Sequence, residues 1–399
     1  MISPDATEAS PTQKVSLATI AREWTRIGCI GFGGPPTHII LLRRLCVEER
    51  HWMPAGDFED GIAATSLLPG PASTQLAIFC AWRLRKTAGA VVGGLCFIVP
   101  GLVLILGLSA VFLASHPPAW ILGLAAGAGA AVPAVAVNAA RALLPASWKR
   151  IGRRRGQHAR WLLYALAGGS AAALAGQYLV GVLLVCGLVE VALRRRDRPA
   201  PSNSLRGTLP AVGGHALAAG GIAGGLGAVA WVAFKVGALS YGGGFVIIPL
   251  MQHDAVVTYH WLTASQFLDA VALGQVTPGP VVQTVAVVGY AAAGLGGGLV
   301  AAFVAFSPSF LFVILGGPRF DRIRGNRSVS AFFSGAGPAV IGAIAGAAIP
   351  LGLSFQHLWQ IPVLGGSLLW LVVARRGVVS TLLLAGALGV LLAVSGVPV

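Results

Sequence analysis

The sequence predicts an all-α polytopic membrane protein of about 13 transmembrane helices, arranged as two inverted-topology repeats with broken helices. Three observations carry that expectation. Hydrophobic residues make up 56% of the 399 and charged residues only 10%, where soluble domains run near 25% charged. Apolar stretches of about 20 residues, the length a helix needs to cross hydrocarbon, recur along the chain. The chain also matches itself when Gly28 is laid on Gly237.

In that register Phe32, Gly33 and Gly34 fall on Tyr241, Gly242 and Gly243. Trp52 falls on Trp261, Phe58 on Phe267, Asp60 on Asp269, and Pro69-Gly70-Pro71 on Pro278-Gly279-Pro280. After a one-residue slip Pro100 meets Pro308. Apolar composition alone would align Leu and Ala, not Trp, Asp and Pro-Gly-Pro together. The expected organisation is a polar tail (1–14), a first repeat (15–193), a basic Pro-rich linker (194–208), and a second repeat with one extra helix (209–399).

The formal charge of +15 does not point to nucleic acid, because the basic residues lie in short clusters between apolar spans rather than on one face. In the first repeat the clusters are Arg83/Arg85/Lys86, Arg141 to Arg160 and Arg194 to Arg206. In the second they are Arg319 to Arg327 and Arg375/Arg376, at positions that do not correspond. Only opposite orientation of the halves puts all of them in the cytoplasm, as the positive-inside rule requires. The N-terminus is then cytoplasmic, the C-terminus periplasmic, and Arg43, Arg44 and Arg50 fall outside. Inverted repeats of this kind are a mark of secondary transporters.

Chemistry is expected where the helices break. Pro-Gly-Pro cannot continue a helix, but Pro71 and Pro280 suit the first position of a new one. Broken backbone at membrane depth has to be buried in protein or line a polar cavity, and a helix N-terminus offers N–H groups and positive dipole to an anion. Ser73, Thr74 and Gln75 follow one break, Gln283 and Thr284 the other. Gly33-Gly34-Pro35 and Gly242-Gly243-Gly244 make a second pair of breaks. Arg26 and Lys235 occupy matching positions shortly before these glycines, and a cation inside a membrane helix is a functional candidate. The alternatives are that Arg26 snorkels to the interface, and that the glycines and prolines only permit tight crossings and kinks. Asp60 and Asp269 are candidates for proton coupling, or else helix caps.

Cys29, Cys46, Cys80, Cys96 and Cys186 show no metal-ligand spacing, and no histidine has a partner at ligand spacing. No Gly-x-Ser-x-Gly, HExxH or P-loop is present. Neither a metal, a cofactor nor enzymatic activity is expected.

At these residues the chain resembles the chromate ion transporter family in its long, two-domain form. Gly31-Phe32-Gly33-Gly34-Pro35, Trp52, Phe58 and Leu68-Pro69-Gly70-Pro71 are similar to its first domain. Phe234-Lys235-Val236-Gly237, Tyr241-Gly242-Gly243-Gly244 and Thr277-Pro278-Gly279-Pro280 are similar to its second. The resemblance implies efflux of chromate across the bacterial inner membrane, conferring chromate resistance, with sulfate as a competing or exchanged anion. The first half has Pro35-Pro36 where the second has Gly244-Phe245, so equal contributions from the halves are not implied. A permease for sulfate or another small anion, and a membrane scaffold without transport, are the competing readings. The expected partners are chromate, sulfate and the lipid bilayer, with no nucleic acid and with a homodimer left open.

Overall fold

The computed structural model describes residues 15–66, 68, 70–114, 116–149, 155–174, 176–196, 225–240, 245–316 and 326–399. Among these every regular element is helical. The first half contains α1 (Leu17–Ile30), α2 (Pro35–Arg43), α3 (Ala55–Thr65), α4 (Ala72–Phe112), α5 (Ala119–Lys149), α6 (Arg155–Leu174) and α7 (Leu179–Arg196). The second contains α8 (Leu226–Leu239), α9 (Ile247–Gln252), α10 (Ala264–Val276), α11 (Thr284–Gly316), α12 (Arg327–Leu353), α13 (Gln360–Leu368) and α14 (Val378–Val394). The tail 1–14, the extra helix expected before residue 225, and the linker from residue 197 onward lie outside the described residues. The linker's first residues, Arg194 to Arg196, are the last turn of α7.

The repeated sequence produces repeated elements. With Gly28 on Gly237, α1 falls on α8 residue for residue. The π-helical turn after α2 (Arg44–Glu49) falls likewise on that after α9 (His253–Thr258). Past the Pro-Gly-Pro triplets the register slips by one, so the kink in α4 at Arg85/Lys86 falls on the kink in α11 at Ala293/Gly294. Gly28 and Gly237 have a packing reason: a Cβ on Gly28 would sit 2.7 Å from the Phe97 carbonyl, and one on Gly237 would collide with that of Ala305. Each first helix therefore crosses its long helix with the backbones nearly touching, close to Pro100 or Pro308.

Among the described residues five stretches are long and apolar enough to cross a membrane: Ala72–Phe112, Ala119–Lys149, Gly176–Arg195, Val281–Gly316 and Arg327–Leu353. Large apolar side chains such as Val103, Leu166, Phe303 and Leu391 stand exposed on the outer surface, which suits hydrocarbon and not water. Helix α1 has 14 residues and reaches only about 21 Å, short of the roughly 30 Å of a bilayer core. It turns at Gly31–Gly34 and comes back as α2, and α3 likewise turns at the Pro-Gly-Pro triplet into the first part of α4. The Arg85 guanidinium donates to the Val15 carbonyl (3.2 Å), Arg83 pairs with Asp57, and Arg50 pairs with Glu23 (3.2 Å). The loop between α2 and α3 thus lies at the end where α1 begins. This corrects the expectation that Arg43, Arg44 and Arg50 face the opposite side. Hydropathy counts each apolar stretch as a crossing, whereas these helices are short enough to pair as hairpins.

The halves interlock. Helix α5 packs on α13 and α14 of the second half, and α12 packs on α6 and α7 of the first. Glycines permit the contact: a Cβ on Gly123 would lie 2.5 Å from the Gly389 carbonyl. The equivalent helices α4 and α11 cross antiparallel, with Gly94 against Phe310 and Gly298 against Leu106.

Candidate functional site

Four helix breaks meet where α4 crosses α11. Helix α1 ends at Gly31, and Gly33 (φ 95°) and Gly34 (φ 76°) take left-handed conformations that let Pro35 start α2. Gly70 (φ 119°) and Gly279 (φ 98°) do the same inside the triplets. Pro71 and Pro280 sit one position earlier than expected, as extended N-cap residues rather than first helical residues. Pro69, Gly242, Gly243 and Gly244 lie outside the described residues.

The breaks are joined across the halves. The Gly70 N–H donates to the Ser240 carbonyl (2.9 Å), and the Gly279 N–H donates to the Gly31 carbonyl (3.0 Å). In the self-match Gly70 pairs with Gly279 and Gly31 with Ser240, so the two bonds are one interaction made twice. These two amides, expected to face an anion, are therefore committed to protein carbonyls.

Most of the expected side-chain donors are committed as well. His38 is buried in α2, its Nε2 2.9 Å from the Gly31 carbonyl and its Nδ1 3.2 Å from the Ser73 hydroxyl. A carbonyl only accepts, so Nε2 carries the proton, and in the neutral ring Nδ1 accepts from Ser73. Thr284 donates to the Val281 carbonyl (2.8 Å), and the Gln283 amide donates to that of Ile98 (2.7 Å). The buried hydroxyls of Thr74, Ser240 and Ser309 have no hydrogen-bond partner among the described residues. Gln75, Ser309 and the Gly237 carbonyl close over Gly70, while Gly101 lies against the Pro278 carbonyl and Gln283. Gly70 consequently has the Ser309 hydroxyl against it, whereas the second triplet has the backbone of α4 at Gly101 and Gln283. Sequence reasoning missed His38, Ser240 and Ser309. The self-match carried a signal for the two serines, which stand where the other half has Gly31 and Gly101.

The matched cations part company. Arg26 is exposed and lies 3.7 Å from Glu23 on its own helix. Lys235 is mostly buried, 2.5 Å from Asp254 and over the ring of Trp231. Asp60 is exposed in the middle of α3. Asp269 is half-buried in the middle of α10, against Gly129 of α5. Neither aspartate is a cap: α3 begins at Pro54, and α10 begins with a Thr263/Gln266 capping box.

A cavity of about 370 Å³ leads away from the first triplet. Pro35, Pro36 and Gly70 line one end; Arg160, Tyr164, Glu190 and Arg194 line the other. A second hollow of about 340 Å³ shares Arg194 and Ser330 with it and adds Arg195 and Arg327. Helices α13 and α14, which replace α6 and α7 in the second half, carry no charged residue. The charged approach thus comes mainly from α6 and α7 of the first half, with Arg327 of α12 added from the second, and Arg160, Tyr164, Glu190 and Arg194 are further residues that sequence reasoning did not place at a site.

The chain is 32% identical to the chromate transport protein of Cupriavidus metallidurans, over 87% of this chain and 86% of that one. It is 30% identical to the probable chromate transport protein of Synechococcus elongatus over 86% of each. It is 28% identical to the chromate transport protein of Pseudomonas aeruginosa over 94% and 96%. No solved structure matches it. The chromate transporter family profile matches residues 18–191 and again 227–391, so this chain, with its four breaks and its doubled sequence, belongs to the chromate transporter family.

Proposed function

We propose that the protein exports chromate from the cytoplasm across the bacterial inner membrane and so confers chromate resistance. The observation that carries this reading is the cavity running from Arg160 and Arg194 to the Gly70 break. It begins at the basic end, where the positive-inside rule places the cytoplasm. It ends at Gly70, against which the buried Ser309 hydroxyl packs and whose N–H is held by the Ser240 carbonyl. Chromate has acceptor oxygens and no donor, so hydroxyl, amide and guanidinium groups suit it. We place it at the first triplet (Gly70, Pro71, Thr74, with Ser240 and Ser309), with Gly33, Gly34 and Pro35 shaping the wall.

Driving force is available. Moving one charge through 100 mV is worth about 2.3 kcal/mol, and a dianion leaving an inside-negative cell gains about twice that. Asp60 and Asp269 remain our candidates for any coupled proton. The antiparallel crossing of α4 and α11 supports halves of opposite orientation. That arrangement needs one further crossing between residues 196 and 225, outside the described residues. We read the short helices before each Pro-Gly-Pro kink as hairpins entering and leaving on one side.

The test is flux of labelled chromate into everted vesicles, competed with sulfate and repeated with a protonophore. Uptake that sulfate inhibits, and that collapses with membrane potential, is expected. Sulfate carried in preference to chromate would favour the sulfate-permease reading. Absence of both fluxes from folded protein would overturn transport.

A further inference from the structure

The charged cluster at the cavity's basic end has an unusual composition for an anion path: a carboxylate sits in it. The Glu190 side chain is 5% exposed. Its Oε1 accepts from Arg194 Nε at 2.8 Å, and its Oε2 accepts from the Tyr164 hydroxyl at 3.2 Å and lies 3.8 Å from Arg160. Among the described residues it is the one acidic group lining the cavity, against two arginines. Arg194 also lines the adjoining basic hollow with Arg195 and Arg327, so the cluster stands between that mouth and the Gly70 break. Gln157, which lines the same cavity, has a buried side-chain oxygen without a partner among the described residues, which marks the space as one for polar contents.

We infer that Arg160, Arg194 and Tyr164 form an oxyanion subsite on the way to the Gly70 break, and that the Glu190 carboxylate occupies it as an internal competitor. The inference rests on the reading of this chain as an oxyanion transporter. A carboxylate and a tetrahedral dianion make the same demand on their surroundings, acceptor oxygens against N–H and O–H donors. Two guanidinium groups and a phenol converging on one carboxylate are a ready set of donors for the larger ion. A monovalent anion brings one charge against the one it must displace, whereas chromate or sulfate brings two. The competitor therefore selects for dianions. A displaced carboxylate left buried and unpaired would be costly; Arg195 and Arg327 in the adjoining hollow offer it partners.

The competing account is a structural clasp, in which Glu190 ties α7 to α6 and nothing else. The two accounts predict opposite signs for Glu190→Gln. As a competitor's removal, it frees both arginines, and equilibrium binding of radiolabelled chromate or sulfate to the purified full-length protein should tighten about tenfold. Turnover should fall, because the ion now leaves slowly, and chloride should compete better than it does in the parent. As a broken clasp, it should lower the unfolding temperature and leave binding equal or weaker. Arg160→Gln and Arg194→Gln should each weaken binding. A measurement on the unaltered protein covers the case in which Glu190→Gln does not fold: sulfate should protect Arg160 and Arg194 from phenylglyoxal, read by peptide mass spectrometry. Folded Glu190→Gln with unchanged or weaker affinity, or no protection of either arginine, overturns the subsite. Absence of chromate and sulfate binding from the parent overturns the transport reading instead.

Discussion

The backbone N–H of Gly70 donates to the carbonyl of Ser240 at 2.9 Å, which ties the tip of one half's hairpin to the end of the other half's first helix. The same bond is made in reverse by Gly279 and Gly31. Each Pro-Gly-Pro tip is thus held by the opposite half, and a rocking motion between halves acts on both tips together.

Replacing Gly70 tests that tie. At φ 119° any L side chain is strained, and a Cβ would run into Gln75 and come within 3.3 Å of Ser309. A Cβ on Gly279 (φ 98°) meets nothing nearer than Gln283 Nε2 at 3.3 Å. Both Gly→Ala variants should lose about 1–3 kcal/mol to backbone strain, and Gly70→Ala should lose more than Gly279→Ala. Thermal unfolding in detergent gives the order; equal losses would mean that strain alone decides.

The kinks offer a cleaner measurement of the same strain. Lys86 is left-handed (φ 51°) where the second half has Gly294 (φ 60°). A Cβ on Gly294 would touch nothing, so Gly294→Ala should destabilise by about 1–2 kcal/mol through conformation alone. Lys86→Gly removes comparable strain but also the contact of Lys86 with the Trp82 ring at 4.5 Å, worth about 0.5–1 kcal/mol if exposed. It should be near neutral. A large loss in Lys86→Gly would show that the lysine itself holds the kink.

How much of this was legible in the sequence depends on range. Pro-Gly-Pro dictates its own break, so the turns at Gly70 and Gly279 were readable from local steric rules. Gly28 and Gly237 were legible only as matched positions, because the carbonyls that crowd them belong to Phe97 and Ala305, far along the chain. Whether a 14-residue apolar helix crosses or turns back is not a local property. It is set by contacts such as Arg50 with Glu23, and no hydropathy window contains both residues. The commitment of the Gly70 and Gly279 amides was invisible for the same reason: their acceptors lie in the other half. Arg26 and Lys235 matched in sequence, yet their neighbours differ, because Asp254 stands where the first half has Leu45.

That difference is testable. Lys235→Gln leaves the mostly buried Asp254 without its cation, and breaking a buried pair from one side costs about 3–5 kcal/mol. The double change Lys235→Gln with Asp254→Asn should recover most of the loss. Arg26→Gln removes an exposed charge and should change stability by about 0–1 kcal/mol. Unfolding midpoints of the four proteins decide it; a Lys235→Gln variant as stable as the parent would mean that Asp254 is solvated.

Cysteine accessibility checks the hairpins. Gly56 is exposed with open space around it, as is Gly294. Gly56→Cys and Lys86→Cys should react with a membrane-impermeant thiol reagent from the same side, and Gly294→Cys from the other. A single broken span running through the Pro-Gly-Pro triplet would instead put residues 56 and 86 on opposite sides.

The hydroxyls at the first triplet give the sharpest test of where the ion sits. A buried hydroxyl without a partner is destabilising, by about 1–3 kcal/mol on mutational scales. Ser309→Ala and Ser240→Ala delete hydroxyls that bond nothing among the described residues, so the variants should fold as well as the parent or slightly better. Hydrogen bonds to charged groups are worth roughly 1.5–3 kcal/mol, which is about ten- to a hundredfold in affinity. If these groups hold chromate, each variant should bind it more weakly by that order while its unfolding temperature stays level or rises. Thr74→Val should behave alike, since it keeps the shape and removes only the hydroxyl. The equivalent positions in the other half make poor controls, because a Cβ on Gly101 would collide with the Pro278 carbonyl and a loss there would report packing. Stability and affinity moving in opposite directions is the signature of a group kept for the ligand at the fold's expense. Parental affinity in all three variants would move the ion away from the first triplet.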